Sequence, residues 1–203
     1  YVEGTISDVA EKIIEYVLEL KLDSPILLFT NTRGEAEFLA SVLKQKSSIP
    51  IELHHGSLSK EVREETEQTL REGKHGIVVC TSSLELGLDI GSVELVIHYG
   101  SPRQVSKFVQ RIGRSKHNRD ASAQGLIITN NPDDEFEAQA ILDRIQEGSI
   151  EEQKIHHGSL DVLAHHLVGL SMQIGEISVE QAFELVTKAY SFRNLKIEDL
   201  IDV

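Results

Sequence analysis

The sequence predicts an α/β fold: a parallel sheet with helices on both faces, followed by a small helical segment. Three observations lead there. Ile26-Leu27-Leu28-Phe29-Thr30 and Ile77-Val78-Val79-Cys80-Thr81 are short, continuous apolar runs, the form of strands covered on both sides. Such runs alternate with amphipathic stretches of roughly a dozen residues, the pattern of βαβ units. Past Thr129 the strand-like runs cease and only helical periodicity continues.

Taken in order, Val9, Ile13, Ile14, Val17 and Leu18 recur at helical spacing, with Ser7 as the expected N-cap of a helix over residues 8–21. Pro25 breaks that pattern and the first strand follows. After Gly34, Ala36, Phe38, Leu39, Val42 and Leu43 mark a second helix. Ile51 to His54, after Pro50, reads as a strand. Ser59 opens a polar helix that runs through Arg71 and closes at Gly73. The strand at 77–81 is followed by two more, Val93 to His98 and Gly125 to Thr129. Between these two, Ser101 and Pro102 suit the start of a helix in which Val105, Phe108, Val109 and Ile112 are expected in the core. The turn Asn130-Asn131-Pro132 leads into an acidic helix ending near Gly148. Two further helical patterns carry Leu160, Val162, Leu163, Leu167 and Leu170, then Ala182, Phe183, Leu185 and Val186 from Ser178; a third is expected after Tyr190. Residues 1–150 are therefore expected to form one domain and 151–203 a helical extension, with the boundary between 148 and 158. So few helices enclose little core alone.

Composition narrows the function. The net charge of −13 argues against nucleic-acid binding by the whole surface, but it leaves room for a local basic patch. Residues Leu95 to Arg119 hold none of the 33 acids and six of the 20 Lys and Arg: Arg103, Lys107, Arg111, Arg114, Lys116 and Arg119. The first four are spaced by 4, 4 and 3, which places them along one face of a helix and suggests an anion as its target. Cys80 is the single cysteine, which excludes an internal disulfide and fits a reducing, cytoplasmic setting. No apolar run is long enough to cross a bilayer as a helix, so no membrane partner is expected. His54-His55-Gly56-Ser57-Leu58 recurs as His156-His157-Gly158-Ser159-Leu160, but the flanks differ and no ligand spacing for a metal joins the histidines. The opening Tyr1-Val2-Glu3-Gly4 reads as a cut within a longer protein.

Ligands of parallel sheets lie at the C-terminal ends of the strands. Four polar segments sit there: Thr30-Asn31-Thr32-Arg33, His55-Gly56-Ser57, Thr81-Ser82-Ser83-Leu84-Glu85-Leu86-Gly87-Leu88-Asp89-Ile90, and Gln110-Arg111-Ile112-Gly113-Arg114. Their order resembles motifs IV, IVa, V and VI of the second RecA-like domain of a superfamily 2 helicase. The wording of the third segment, Gly100-Ser101-Pro102, and the stretch Leu160-Asp161-Val162-Leu163-Ala164-His165-His166-Leu167 resemble the large helicase-related (Lhr) family in particular. There the last stretch enters a winged-helix domain. The resemblance covers residues 26–190.

That resemblance implies roles. Arg114 would be the arginine finger on the γ-phosphate of ATP, with Gln110 and Arg111 in support; a guanidinium offers the rigid fork of donors that developing phosphate charge needs. Asp89, after Gly87, would accept hydrogen bonds from the ribose hydroxyls, and Gly87 would let the backbone pass close. His117 stands where many relatives carry a second arginine, and Lys116 replaces a usual small residue. Thr32, Arg33, Ser57, Thr81 and Ser82 would hold backbone phosphates of a single nucleic-acid strand, expected to be DNA, without reading its sequence. Thr32 and Ser57 equally suit helix caps. The sequence has no phosphate loop and no Mg-binding acid pair; in the family these lie in the first RecA-like domain. ATP and Mg2+ are thus expected to bind mainly to that partner domain, and the chain alone is expected not to hydrolyse ATP. The competing reading is a non-catalytic interaction module with a degenerate nucleotide site, to which the acidic helix and the net charge lend weight.

Overall fold

The computed structural model describes residues 5–22, 24–85, 90–91, 93–115, 125–129, 131–152 and 155–203. The chain divides into two compact units, Tyr1–Glu151 and Glu152–Val203. In the first, the elements run α1 (Ile6–Leu20), β1 (Ile26–Phe29), α2 (Arg33–Lys46), β2 (Ile51–His54), α3 (Lys60–Arg71), β3 (Ile77–Cys80), β4 (Leu95–Tyr99), α4 (Val105–Ile112), β5 (Gly125–Ile128) and α5 (Pro132–Gln146). The five strands form one sheet of order β2-β3-β1-β4-β5, and every pair is parallel. This is the RecA-like architecture, with helices on both faces. Among the described residues, no helix is long and apolar enough to cross a membrane.

Alternation along the strands sorts side chains to the two faces. Ile26, Leu28, Ile77, Val79, Leu95 and Ile97 point to one face, where they pack with Val9, Ile13 and Val17 of α1 and Ala36, Leu39 and Leu43 of α2. Leu27, Phe29, Val78, Cys80 and Val96 point to the other, beneath Leu70 of α3 and Leu84, Ile90 and Val93. Both faces are dry, which is why β1, β3 and β4 are buried at every residue. Val105 and Phe108 of α4 pack with Ile141 of α5 in a smaller cluster that Ile112 and Ile127 border.

Several helix starts differ from the sequence-based expectation. Helix α1 begins at Ile6 behind Thr5, not behind Ser7, because the Asp8 carboxylate accepts from the Thr5 N–H at 2.6 Å and from its hydroxyl at 2.8 Å. Helix α4 begins at Val105, not at Ser101–Pro102. Residues 100–104 are committed to a turn: Gly100 has φ +79° and Arg103 has φ +63°, both in the left-handed region, and the Ser101 hydroxyl accepts from the Arg103 N–H at 3.1 Å. The first free amides of α4 are capped from far along the chain. The Glu151 carboxylate accepts from Val105 N–H at 2.7 Å and from Ser106 N–H at 3.0 Å. Those two bonds hold the Glu151 carboxyl down to about 2, well below its ordinary 4.5.

The second unit holds α6 (Leu160–Ile174), α7 (Val179–Thr187) and α8 (Ile197–Ile201). Ser178 caps α7 through a reciprocal pair of bonds with Gln181, each 3.2 Å. Its buried apolar side chains are small in number, Leu163, Leu170, Ala182, Val186 and Leu200, while Met172 and Val168 on α6 stay exposed.

Candidate nucleotide and nucleic-acid interface

Because all strands are parallel, the segments that leave β1, β2, β3 and β4 emerge at a single edge of the sheet. The order β2-β3-β1 makes the segments after these strands neighbours there. Thr81 N–H bonds to the His54 carbonyl at 3.3 Å, and Thr30 N–H bonds to the Cys80 carbonyl at 2.9 Å. Arg33 Nη1 donates to Ser57 Oγ at 2.5 Å across a sequence gap of 24 residues. Thr32, Arg33 and Ser57 are exposed on that edge, Ser82 is exposed at the start of a 3-10 turn, and Thr81 is half-buried. Ser83 fastens the same loop: its hydroxyl donates to the His54 carbonyl at 3.0 Å and lies 2.8 Å from His54 Nδ1.

The two candidate caps separate. Thr32 caps α2, its hydroxyl accepting from Glu35 N–H at 3.2 Å while Glu35 accepts from Thr32 N–H at 2.9 Å. Ser57 caps nothing; Ser59 caps α3 instead, accepting from Val62 N–H. In both Thr32 and Ser57 the bond formed uses an oxygen lone pair, which leaves the hydroxyl proton able to donate to a phosphate.

The basic helix is not a row of solvated cations. Arg103 precedes it, and Arg111 is 4% exposed. Val109, expected in the core, is 42% exposed, whereas Val105 and Phe108 are buried as expected. Val105, Phe108 and Arg111 recur every three residues and form the buried side of α4, while Val109 falls outside that row. The Arg111 guanidinium donates to Glu85 Oε2 from Nη2 at 3.2 Å and from Nε at 3.4 Å, and lies 4.9 Å above the Phe29 ring. Nη1 approaches His98 Nδ1 at 3.5 Å. His98 stacks on Phe29 at 5.7 Å and packs on Phe108 at 5.2 Å. Burial, with the Arg111 charge adding to it, pushes the His98 imidazole down from 6.5 to about 3. Cys80, in the same layer, has its thiol pushed far up by burial, so it is an inert core residue.

Arg114 lies just beyond, in the 3-10 turn, half-buried. Its Nε and Nη2 both donate to the Glu85 carbonyl, at 3.1 and 2.9 Å. Gln110 is half-buried on α4. Glu85 is thus bound at both ends, its carboxylate by Arg111 and its carbonyl by Arg114. It begins the stretch toward Gly87 and Asp89. These two, and His117, lie outside the described residues. Glu85 and His98 were not singled out in the sequence. For His98 a signal existed, since it is a polar residue within an apolar run, and such a residue when buried needs a partner; Glu85, between Leu84 and Leu86, gave a weaker one.

A cavity of about 550 Å³ opens beside β1 and β4 and is lined by Asn31, Glu35, Tyr99, Gly100, Arg103, Asn131, Asp133, Asp134 and Glu137. Four carboxylates against one guanidinium make it a poor seat for phosphate. Arg33, Ser57 and Thr81 are not among the residues that line it.

Comparison with known proteins bears on the family and the fold. Residues 8–118 match the helicase conserved C-terminal domain, and residues 143–203 match the winged helix domain of large helicase-related protein. An ATP-dependent helicase Lhr-Core from Methanocaldococcus jannaschii is 42% identical over 177 residues, 87% of this chain and 21% of that protein. An Lhr helicase/uracil glycosylase from Escherichia coli is 32% identical, covering 83% of this chain and 13% of its own length. Among solved structures, Mycobacterium smegmatis helicase Lhr bound to ssDNA and AMP-PNP superposes with a TM-score of 0.84 at 34% identity, covering 96% of this chain and 26% of that one. The chain spans about a fifth of the length of the Methanocaldococcus jannaschii relative. Its ordered motifs, parallel five-stranded sheet and two domain matches show that it belongs to the superfamily 2 helicases, as a helicase C-terminal domain followed by a winged-helix domain of the large helicase-related type.

Proposed function

We propose that this chain is the second motor domain, with the start of the winged-helix domain, of an ATP-dependent nucleic-acid helicase, and that Arg114 is its arginine finger. The observation that carries this reading is the position of Arg114, with its guanidinium on the carbonyl of Glu85, which in sequence shortly precedes Gly87 and Asp89. ATP and Mg2+ would be held mainly by the first RecA-like domain of the whole protein. Arg114 would reach across to the γ-phosphate, Asp89 would take the ribose hydroxyls, Gly87 would admit the nucleotide close to the backbone, and His117 would border the phosphates. Gln110 would support the finger from α4. Arg111, being buried, would act through Glu85 rather than on the nucleotide.

Thr32, Arg33, Ser57, Thr81 and Ser82 would hold phosphates of a single DNA strand along the β2-β3-β1 edge. The Mycobacterium smegmatis relative, whose structure contains ssDNA and AMP-PNP, supports both halves of this proposal. Contacts of this kind grip charge and spacing, not base identity, as a motor that moves along any sequence requires.

The test is the nucleic-acid-stimulated ATPase of Arg114→Ala in the full-length protein. A finger is worth about 10³-fold or more in turnover, so the variant should lose stimulated hydrolysis while ATP and DNA binding persist. Undiminished hydrolysis would support the non-catalytic interaction module in its place.

A further inference from the structure

We propose that Glu85 is a positioning residue for the Arg114 guanidinium, with its carbonyl fixing the finger and its carboxylate fixed in turn by the buried Arg111. This rests on the reading of Arg114 given above and deepens it.

Four observations carry it. First, Arg114 places two donors on one oxygen, Nε at 3.1 Å and Nη2 at 2.9 Å from the Glu85 carbonyl. An arginine side chain free to rotate loses rotamer freedom when it is immobilised. A fixed acceptor meets that cost before any nucleotide arrives. Second, the acceptor is itself fixed. Glu85 N–H bonds to the Ser82 carbonyl at 3.0 Å, and the Glu85 carboxylate accepts from Arg111 Nη2 and Nε at 3.2 and 3.4 Å. Third, the ion pair is buried, with the Arg111 side chain 5% and the Glu85 side chain 9% exposed. Water competes weakly there, and either group left alone would be an uncompensated buried charge. Fourth, the pair stands on a rigid base. Arg111 lies over the Phe29 ring and beside His98, both on central strands of the sheet.

A chain of contacts therefore runs from β1 and β4 through Arg111 and Glu85 to Arg114. It spans the segments after β3 and within α4, which in sequence are 26 residues apart. A carboxylate at residue 85 serves this chain better than a neutral residue would. It is the only member able to answer the Arg111 charge, while its own backbone supplies the oxygen that Arg114 grips. The bonds to Arg111 go to the side chain and those to Arg114 go to the main chain, so the two arginines do not compete.

The experiment uses the full-length helicase and compares Glu85→Gln, Arg114→Ala and the double variant. Gln keeps the shape and one hydrogen bond but cannot hold Arg111 as an ion pair. The stimulated kcat of Glu85→Gln should fall by about ten-fold to a hundred-fold, since displacing a reacting group's partner by an ångström has effects of this order. KM for ATP and the affinity for single-stranded DNA should stay within about two-fold, because the variant leaves ground-state binding alone. In the Arg114→Ala background, Glu85→Gln should lower kcat no further. A residue that merely stabilises the fold would lower kcat equally in both backgrounds, and that result would overturn the proposal, as would an unchanged kcat in Glu85→Gln alone. Should Glu85→Gln fail to fold, the same comparison is read on Glu85→Asp, which keeps the charge but shortens its reach. If Arg114→Ala itself leaves ATP hydrolysis intact, the finger assignment fails and not the positioning step alone.

Discussion

His98 is a residue whose chemistry is strongly altered by its surroundings. It is 1% exposed, enclosed by Phe29, Phe108 and Arg111, and its pKa is pushed down to about 3 against an ordinary 6.5. Between those two values the unfolded chain binds a proton at this residue that the folded one does not. Stability contributed here is complete above pH 6.5 and falls as the pH drops through that window, by about 1.4 kcal/mol per pH unit per proton. Urea unfolding of the chain at pH 7 and pH 5 should show lower stability at pH 5, and His98→Gln should flatten the difference. Equal slopes for the two proteins would mean that other groups govern acid sensitivity. Such a residue leaves a trace in the sequence, because Val96-Ile97-His98-Tyr99 is too apolar to hold a charged imidazole. Its partners leave none. Phe29 and Arg111 are brought to His98 by strand register and by the packing of α4, which no local pattern encodes.

Helix α4 shows the same division between local and distant causes. The spacing of Arg103, Lys107, Arg111 and Arg114 announces a helix, but not where it starts or which side is covered. The positive-φ turn at Gly100 and Arg103 delays the start to Val105, and the cap comes from Glu151, 46 residues away. Strands β1 and β3, by contrast, are legible outright, since a continuous β-branched and aliphatic run between turn residues has few other fates. The Glu151 cap can be tested on its own. Glu151→Ala should lower the thermal midpoint of the first unit by several degrees at pH 7. The folded carboxyl sits at about 2 against 4.5, so this contribution is complete above pH 4.5 and disappears as the pH falls toward 2. Calorimetry of both proteins at pH 7 and at pH 3 should show the gap narrowing; a gap independent of pH would rule out the charged cap as its origin.

At the scale of the whole molecule, the parallel sheet explains why residues as separate as Arg33, Ser57 and Thr81 share one edge, and Arg114 reaches the segment after β3 through the Glu85 carbonyl. Each follows a strand or sits on a helix packed against one, and the sheet order does the gathering. Strand order is where the sequence is silent: alternating elements imply a parallel sheet, but the insertion of β1 between β3 and β4 comes from packing. On the proposed reading the chain would supply only part of a nucleotide site, since its sequence carries no phosphate loop. The isolated 203-residue chain should therefore show no Mg-ATP turnover in a phosphate-release assay, and measurable turnover would contradict a shared site.

The most direct measurement is the rate of ATP cleavage in a single turnover, with nucleotide and single-stranded DNA already bound to the full-length protein. If Arg114 stabilises the charge that develops on the γ-phosphate, Arg114→Ala slows that step by about 10³-fold or more and leaves the fraction of bound ATP unchanged. Cleavage within about two-fold of wild type, a difference of under half a kcal/mol in the barrier, would show that residue 114 takes no part in the chemistry.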